Sequence, residues 1–92
     1  MQNIMKKTNN ENKTFDLSKI TKVIGLKQVV KHAEKKEIRI IYLASDVDSF
    51  VETKILAIAE KHSIPIFKTH SMYKLGLSCG IDVGAACVGI LS

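Results

Sequence analysis

The sequence predicts an α/β fold: a three-layer α/β/α sandwich on a mixed four-stranded sheet. Short β-branched runs recur near residues 23–24, 38–44, 64–67 and 85–91. The segments between them carry apolar residues at helical spacing and start or stop at capping residues. The length, 92 residues with 46% hydrophobic and 25% charged side chains, fits one domain with one modest core. Helix-length connections between strands imply a sheet that is at least partly parallel, with helices on both sides.

The elements follow in order. Residues 1–14 are polar and rich in Asn and Lys, and are expected to form a flexible basic tail ahead of a domain spanning 15–92. Asp16 is a candidate N-cap for a short helical start through Leu17 and Ile20. Val23-Ile24-Gly25 reads as a brief strand closed by a glycine turn. Leu26, Val29, Val30 and Ala33 then fall on one helical face, with Lys27, Gln28, Lys31 and Lys35 at other angles. The run from Ile38 to Ala44, interrupted only by Arg39, has the length and β-branching of a buried strand. Ser49 and Glu52 match a capping box, opening a helix that buries Val51, Ile55, Ile58 and Ala59 and stops before Pro65. Ile64–Phe67 is a short strand. Ser71 caps a third helix through Met72, Leu75 and Cys79, which Gly80 ends. Ala85–Leu91 is apolar without polar alternation, as in a strand covered on both faces.

Composition excludes several classes. No apolar stretch approaches the roughly 20 residues of a membrane span, and no apolar region follows Lys6 and Lys7 as in a secretory signal. A cytoplasmic location is expected, because two cysteines, Cys79 and Cys87, suit a reducing compartment. Their spacing is not that of a metal site, and they read as small buried hydrophobes. His32, His62 and His70 read as surface histidines with no paired partner. With no nucleophile–base pair in view, the chain is expected to be neither an enzyme nor a cofactor carrier. Gly76, Gly80 and Gly84 match no phosphate-loop signature, and read as a helix stop, a tight loop and close packing.

Charge points to a partner. The net charge is +5, and residues 1–40 hold ten cations against four acids, while residues 41–92 hold four against five. Such asymmetry favours a polyanion, nucleic acid before membrane. Gly25 ends a strand where a helix begins, so unpaired backbone N–H groups there favour an anion. The glycine lets a phosphodiester approach without a Cβ in the way. Lys27 and Lys31 stand one turn apart on one face, and Gln28 offers a donor and an acceptor to a base edge. The bland alternative is a solvated helix face. Of the aromatic residues Phe15, Tyr42, Phe50, Phe67 and Tyr73, most are expected in the core, and no basic-aromatic strand forms a stacking platform. Recognition of a shaped RNA by a helix end and a loop fits what remains.

Three blocks carry a resemblance: Val23 to Lys31, Leu43 to Asp48, and Met72 to Ala86. In order and spacing they resemble the kink-turn RNA-binding ribosomal protein family, the L-seven-Ae and L-thirty-e group, and its small bacterial members above all. The resemblance spans about residues 16–92 and implies the same α/β/α sandwich. It implies that Gly25, Lys27, Gln28 and Lys31 enter the kink against sheared G·A pairs and nearby phosphates. Ile81, Asp82 and Val83 would form a second contact loop, and Asp48 would lie near an extruded nucleotide. Many relatives carry Asn and Glu where Lys27 and Gln28 stand, an exchange that shifts weight from base edges to phosphates. The implied protein is a monomer without cofactor, bound to a kink-turn in ribosomal RNA, hence a possible ribosome constituent, or in a messenger leader. A protein–protein interaction module on the same fold is the alternative.

Overall fold

The structure, a computed structural model, describes residues 16–92. The expected tail, residues 1–14, and Phe15 lie outside the described residues. The elements run β1 (Lys22–Ile24), α1 (Leu26–Glu34), β2 (Ile38–Leu43), α2 (Ser49–His62), β3 (Ile66–Lys68), α3 (Met72–Ser78) and β4 (Cys87–Leu91). The sheet order is β1-β4-β2-β3, with β2 and β3 parallel and β4 antiparallel to both β1 and β2. This is the mixed four-stranded sheet expected.

Topology explains the layers. The β1-to-β2 and β2-to-β3 connections step across the sheet in one sense, and right-handed crossovers then put α1 and α2 on one face. The return to β4 leaves α3 for the other face. Two cores result. Val29, Ala33, Ile55, Ile58 and Ala59 pack with Ile41, Leu43 and Cys87 under α1 and α2. Leu17, Leu75, Cys79 and Ala85 pack with Val88 and Ile90 under α3. Strand β4 alternates between them, Cys87 to one and Val88 to the other, and is buried on both faces as its composition predicted.

Several expectations need correction. Asp16 caps no helix: its Oδ1 accepts from the Ser18 amide at 3.0 Å and the Ser18 hydroxyl at 2.6 Å, closing a local turn. Those bonds, the hydroxyl's above all, hold the Asp16 carboxyl below its usual range. Ile20 remains exposed. Strand β2 is irregular between Ile38 and Ile40, and this break turns Arg39 out to solvent beside a buried Ile38. The cap of α2 is Asp48 and not Ser49, with Asp48 Oδ1 accepting from the Val51 amide at 3.0 Å. A carboxylate caps as well as a hydroxyl and adds charge suited to the positive helix end. The one-residue shift removes Glu52 from the capping position, and Glu52 Oε2 instead meets Lys68 Nζ on β3 at 2.7 Å. Strands β3 and β4 each begin two residues later than the apolar runs that announce them. Ser71 and Gly80 frame α3 as expected: Ser71 Oγ accepts from the Lys74 amide at 3.2 Å, and Gly80 takes φ +83°.

Candidate nucleic-acid interface

Because β4 is antiparallel to its neighbours, the C-terminal ends of β1, β2 and β3 share one end of the sheet with the start of β4. Four connections gather there: Gly25, residues 44–48, residues 69–71 and residues 79–86. Every site residue expected from the sequence belongs to this end or to the first turns of α1.

Gly25 is the N-cap of α1 with φ +98° and ψ 156°, backbone angles open essentially to glycine alone. Nothing lies within 4 Å of where its Cβ would stand. Among the described residues no side chain caps α1, whereas α2 has Asp48 and α3 has Ser71. Nor is there an acid in its first turn. The helix therefore offers its opening amides and their partial positive charge outward. Lys27, Gln28 and Lys31 are all exposed beside them.

The second loop is held down from behind. Ile81 is half-buried against the α3 core, and its amide donates to the Gly76 carbonyl at 3.1 Å. Asp82 is exposed, and Val83 is 63% exposed. The Val83 carbonyl lies where a Cβ on residue 76 would stand, so only glycine allows this approach. The Ala85 amide donates to the Met72 carbonyl at 2.9 Å, and the Ala44 amide to the Ala86 carbonyl at 2.9 Å. The series Gly76, Gly80 and Gly84 thus serves packing and a helix stop.

Asp48 stands in the neighbouring connection with Oδ1 committed to the helix cap. Two residues earlier, Asp46 Oδ1 accepts from the Met72 amide at 2.8 Å and ties this connection to the start of α3. Asp46 was not among the residues expected to matter. A lone Asp in a connection gives no sequence signal of its partner, and only the fold reveals it 26 residues away.

Two expectations about side chains fail. The aromatic residues are not mostly core: Phe50, Phe67 and Tyr73 are exposed, and Tyr42 is half-buried with its ring stacked on Phe67 at a centroid distance of 5.9 Å. Nor are the histidines all unpaired. His32 Nδ1 lies 2.6 Å from Glu37 Oε1, a partner five residues on that a helix end followed by a turn brings back. His62 is half-buried, and its Nε2 has no hydrogen-bond partner among the described residues. It lines a cavity of about 310 Å³ with Lys36, Ile38, Lys61, Ser63 and Ile64, at the opposite end of the sheet from the expected site. The cysteines do behave as hydrophobes. Both are free and buried, and burial pushes the Cys79 thiol up and the Cys87 thiol up to about 11. No helix among the described residues is long and apolar enough to cross a membrane.

Residues 6–92 match the family described as Ribosomal protein L7Ae/L30e/S12e/Gadd45. The chain belongs to this family. Among its relatives, an RNA-binding protein of Halalkalibacterium halodurans is 46% identical over 68 residues, which span 74% of this chain and 83% of that protein. RNA-binding protein YbxF of Geobacillus stearothermophilus is 41% identical over 69 residues, covering 75% of this chain and 84% of the relative. In three dimensions the fold is similar to the Giardia lamblia 15.5kD RNA binding protein, with a TM-score of 0.72 at 18% identity. That match covers 77% of this chain and 60% of the Giardia protein. A structure of a Bacillus halodurans protein of unknown function matches at TM-score 0.73 and 22% identity, over 77% of this chain and 71% of the other. The resemblance read from three sequence blocks and the membership established over the whole domain therefore agree.

Proposed function

We propose that this protein binds structured RNA and recognises the kink-turn, holding the RNA in its bent form. The observation that carries the reading is the uncapped, glycine-led start of α1, with Lys27, Gln28 and Lys31 exposed on the sheet end that also carries residues 81–83. The names of the bacterial relatives, RNA-binding proteins at 46% and 41% identity, support RNA as the partner. The helix end receives phosphates, Gln28 and Lys27 address base edges, and Ile81 and Val83 offer an apolar surface to the backbone of the bend. No reaction is involved. The protein binds the bent conformer better than the extended one, and the population shifts by that difference. Ribosomal RNA and structured messenger leaders both present such bends.

The test is a titration against a kink-turn RNA and a control whose sheared pairs are replaced by Watson–Crick pairs. Gln28→Ala should cost on the order of 1–3 kcal/mol for the kink-turn and little for the control. Removing Lys6, Lys7 and Lys13 should weaken both alike and flatten the salt dependence. Equal affinity of the unmodified protein for both RNAs would sink the kink-turn reading.

A further inference from the structure

The end of the sheet away from the expected RNA site holds the cavity of about 310 Å³, where α1 and α2 both finish. That volume lies at the lower end of the roughly 300–1,000 Å³ range of small-molecule sites. Buried Ile38 and Ile64 supply its apolar part, and Lys36, Lys61, His62 and Ser63 its polar groups. The two helices close alike. After α1, the Glu37 and Lys36 amides donate to the His32 and Ala33 carbonyls at 3.0 and 2.9 Å. After α2, the Ile64 and Ser63 amides donate to the Ala59 and Glu60 carbonyls at 2.8 and 3.3 Å. This pattern needs a left-handed residue at the helix end, a place usually held by glycine. Here it is held by Lys36 at φ +61° and Ser63 at φ +56°, the non-glycine residues with positive φ among the described residues.

Folding does not ask for these side chains. Glycine enters the left-handed region without the Cβ penalty that lysine and serine carry, and Gly80 does so after α3 at φ +83°. Strained positions gathered on one cavity are a mark of function more than of stability. The partial negative charge of a helix C-terminus attracts cations, which accounts for Lys61 in the last turn of α2. The last turn of α1 already carries Lys31 and His32, so that purpose does not require Lys36 in the strained position. Lys36 joins none of the ion pairs among the described residues, and its neighbour Glu37 is held by His32 at 2.6 Å. Lys61 meets Glu34 only at 3.9 Å, with both side chains more than half exposed, so this pair opens at little cost. The buried His62 Nε2 has no hydrogen-bond partner among the described residues, a state that favours a ligand able to supply one.

We propose that this cavity binds a small phosphate monoester, with the Lys36 and Lys61 ammonium groups on the phosphoryl oxygens. Ser63 Oγ and the His62 ring add hydrogen bonds, and Ile38 and Ile64 pack against the body of the ligand. Two ammonium groups on one small cavity match a dianion, and lysine serves phosphate as a point charge with no fixed geometry. The site is separate from the RNA surface. Helix α1 runs between them, and its 9 residues span about 13 Å. Neither site needs the other.

Adenosine 5′-monophosphate, inorganic phosphate and adenosine are the probes, titrated into the full chain at constant ionic strength and followed by amide NMR. The monophosphate should move the amides of residues 36–38 and 61–64 saturably, inorganic phosphate should move the same amides more weakly, and adenosine should move none. Lys36→Gly should weaken the monophosphate about tenfold and melt at a higher temperature, since the strain leaves with the side chain. Lys36→Arg should keep most of the affinity, because the charge remains. Lys35→Ala alters a neighbouring lysine outside the cavity and should change nothing. Any shifts at residues 25–28, where RNA phosphates are placed, should be the same in Lys36→Gly as in the unmodified protein. Its affinity for a kink-turn RNA should be unchanged too. Absence of saturable shifts at the cavity, undiminished monophosphate binding in Lys36→Gly, or a glycine variant that melts no higher would each overturn the proposal. So would a loss of RNA affinity in Lys36→Gly, which would make the lysine part of a longer RNA surface.

Discussion

The Gly25 amide donates to the Cys87 carbonyl at 2.9 Å, tying the start of α1 to the first residue of β4. This bond continues the β1–β4 ladder by one step and, with it, holds the helix end beside the loop that immediately precedes β4. At φ +98° and ψ 156° the position suits glycine and strains any other residue. Gly25→Ala should therefore lower stability by about 1–3 kcal/mol through backbone strain, because no neighbour would clash with the added methyl. Urea denaturation measures that loss. RNA affinity, measured where the variant is still fully folded, should fall as well, since the helix end and the loop lose their fixed relation.

Asp48 has a structural duty and a proposed functional one, and two substitutions separate them. Asp48→Ala removes the acceptor for the Val51 amide, at a cost of about 0.5–2 kcal/mol. Asp48→Ser keeps a good cap and discards only the charge, so its melting temperature should stay near that of the unmodified protein. If the carboxylate lies near an extruded nucleotide, Asp48→Ser should still change RNA affinity. Unchanged affinity in the serine variant would confine Asp48 to capping.

What could be read from the sequence depended on the range of the interaction concerned. Every strand and helix from β1 to β4 was legible, because each is announced by local periodicity and a breaker: Gly25, Pro65, Ser71, Gly80. The α1 site was legible for the same reason, since Gly25, Lys27, Gln28 and Lys31 lie within seven residues. The cap of α2 was misplaced by one residue because Asp48 and Ser49 both cap well, and local chemistry does not choose between them. The choice shows in the Glu52–Lys68 pair, which spans two elements. The aromatic residues were misassigned because Phe50, Phe67 and Tyr73 are apolar wherever they stand. Which face of an element meets solvent depends on what covers it, and α3, seven residues long, covers less than a longer helix would. His32 found its partner through a turn at Lys35–Lys36 that no pattern specified.

Cys87 should make the protein sensitive to alkali. Burial holds the thiol protonated to about 11 in the folded state, against 9.0 without that environment. The folded state then binds more protons than the unfolded state between those values, so stability falls as pH rises through that window. The loss attributable to this group is roughly 2–3 kcal/mol once the pH passes the folded value. Below pH 9.0 the effect vanishes. Lysines and tyrosines titrate over the same range, so the measurement is a difference: the pH slope of the unmodified protein minus that of Cys87→Ala. The alanine variant loses some packing at every pH, but its curve should be flatter above pH 9.0. Equal slopes would mean that the thiol reaches solvent more easily than its complete burial implies.

Gly76→Ala tests whether the second contact loop acts through its position or only through its side chains. A methyl on residue 76 would occupy the space of the Val83 carbonyl oxygen, and a backbone atom cannot move aside as a side-chain end can. Either α3 shifts or residues 81–84 lift, and a close-packed contact of this kind costs about 1–3 kcal/mol to disturb. The loop is the softer of the two partners. Helix α3 is held by its Ser71 cap, by the Asp46–Met72 bond and by Leu75 in the core. The expected result is a folded protein of reduced stability whose α1 and sheet amides keep their NMR positions while those of residues 81–86 move. Its affinity for a kink-turn should drop although no side chain assigned to the RNA has changed. Val83→Ala is the comparison, since it trims an exposed side chain and leaves the backbone path intact. If Gly76→Ala weakens binding more than Val83→Ala does, the loop contributes mainly by where its backbone is held. If the two variants bind alike at equal folded fraction, backbone placement adds nothing beyond the side chain it carries.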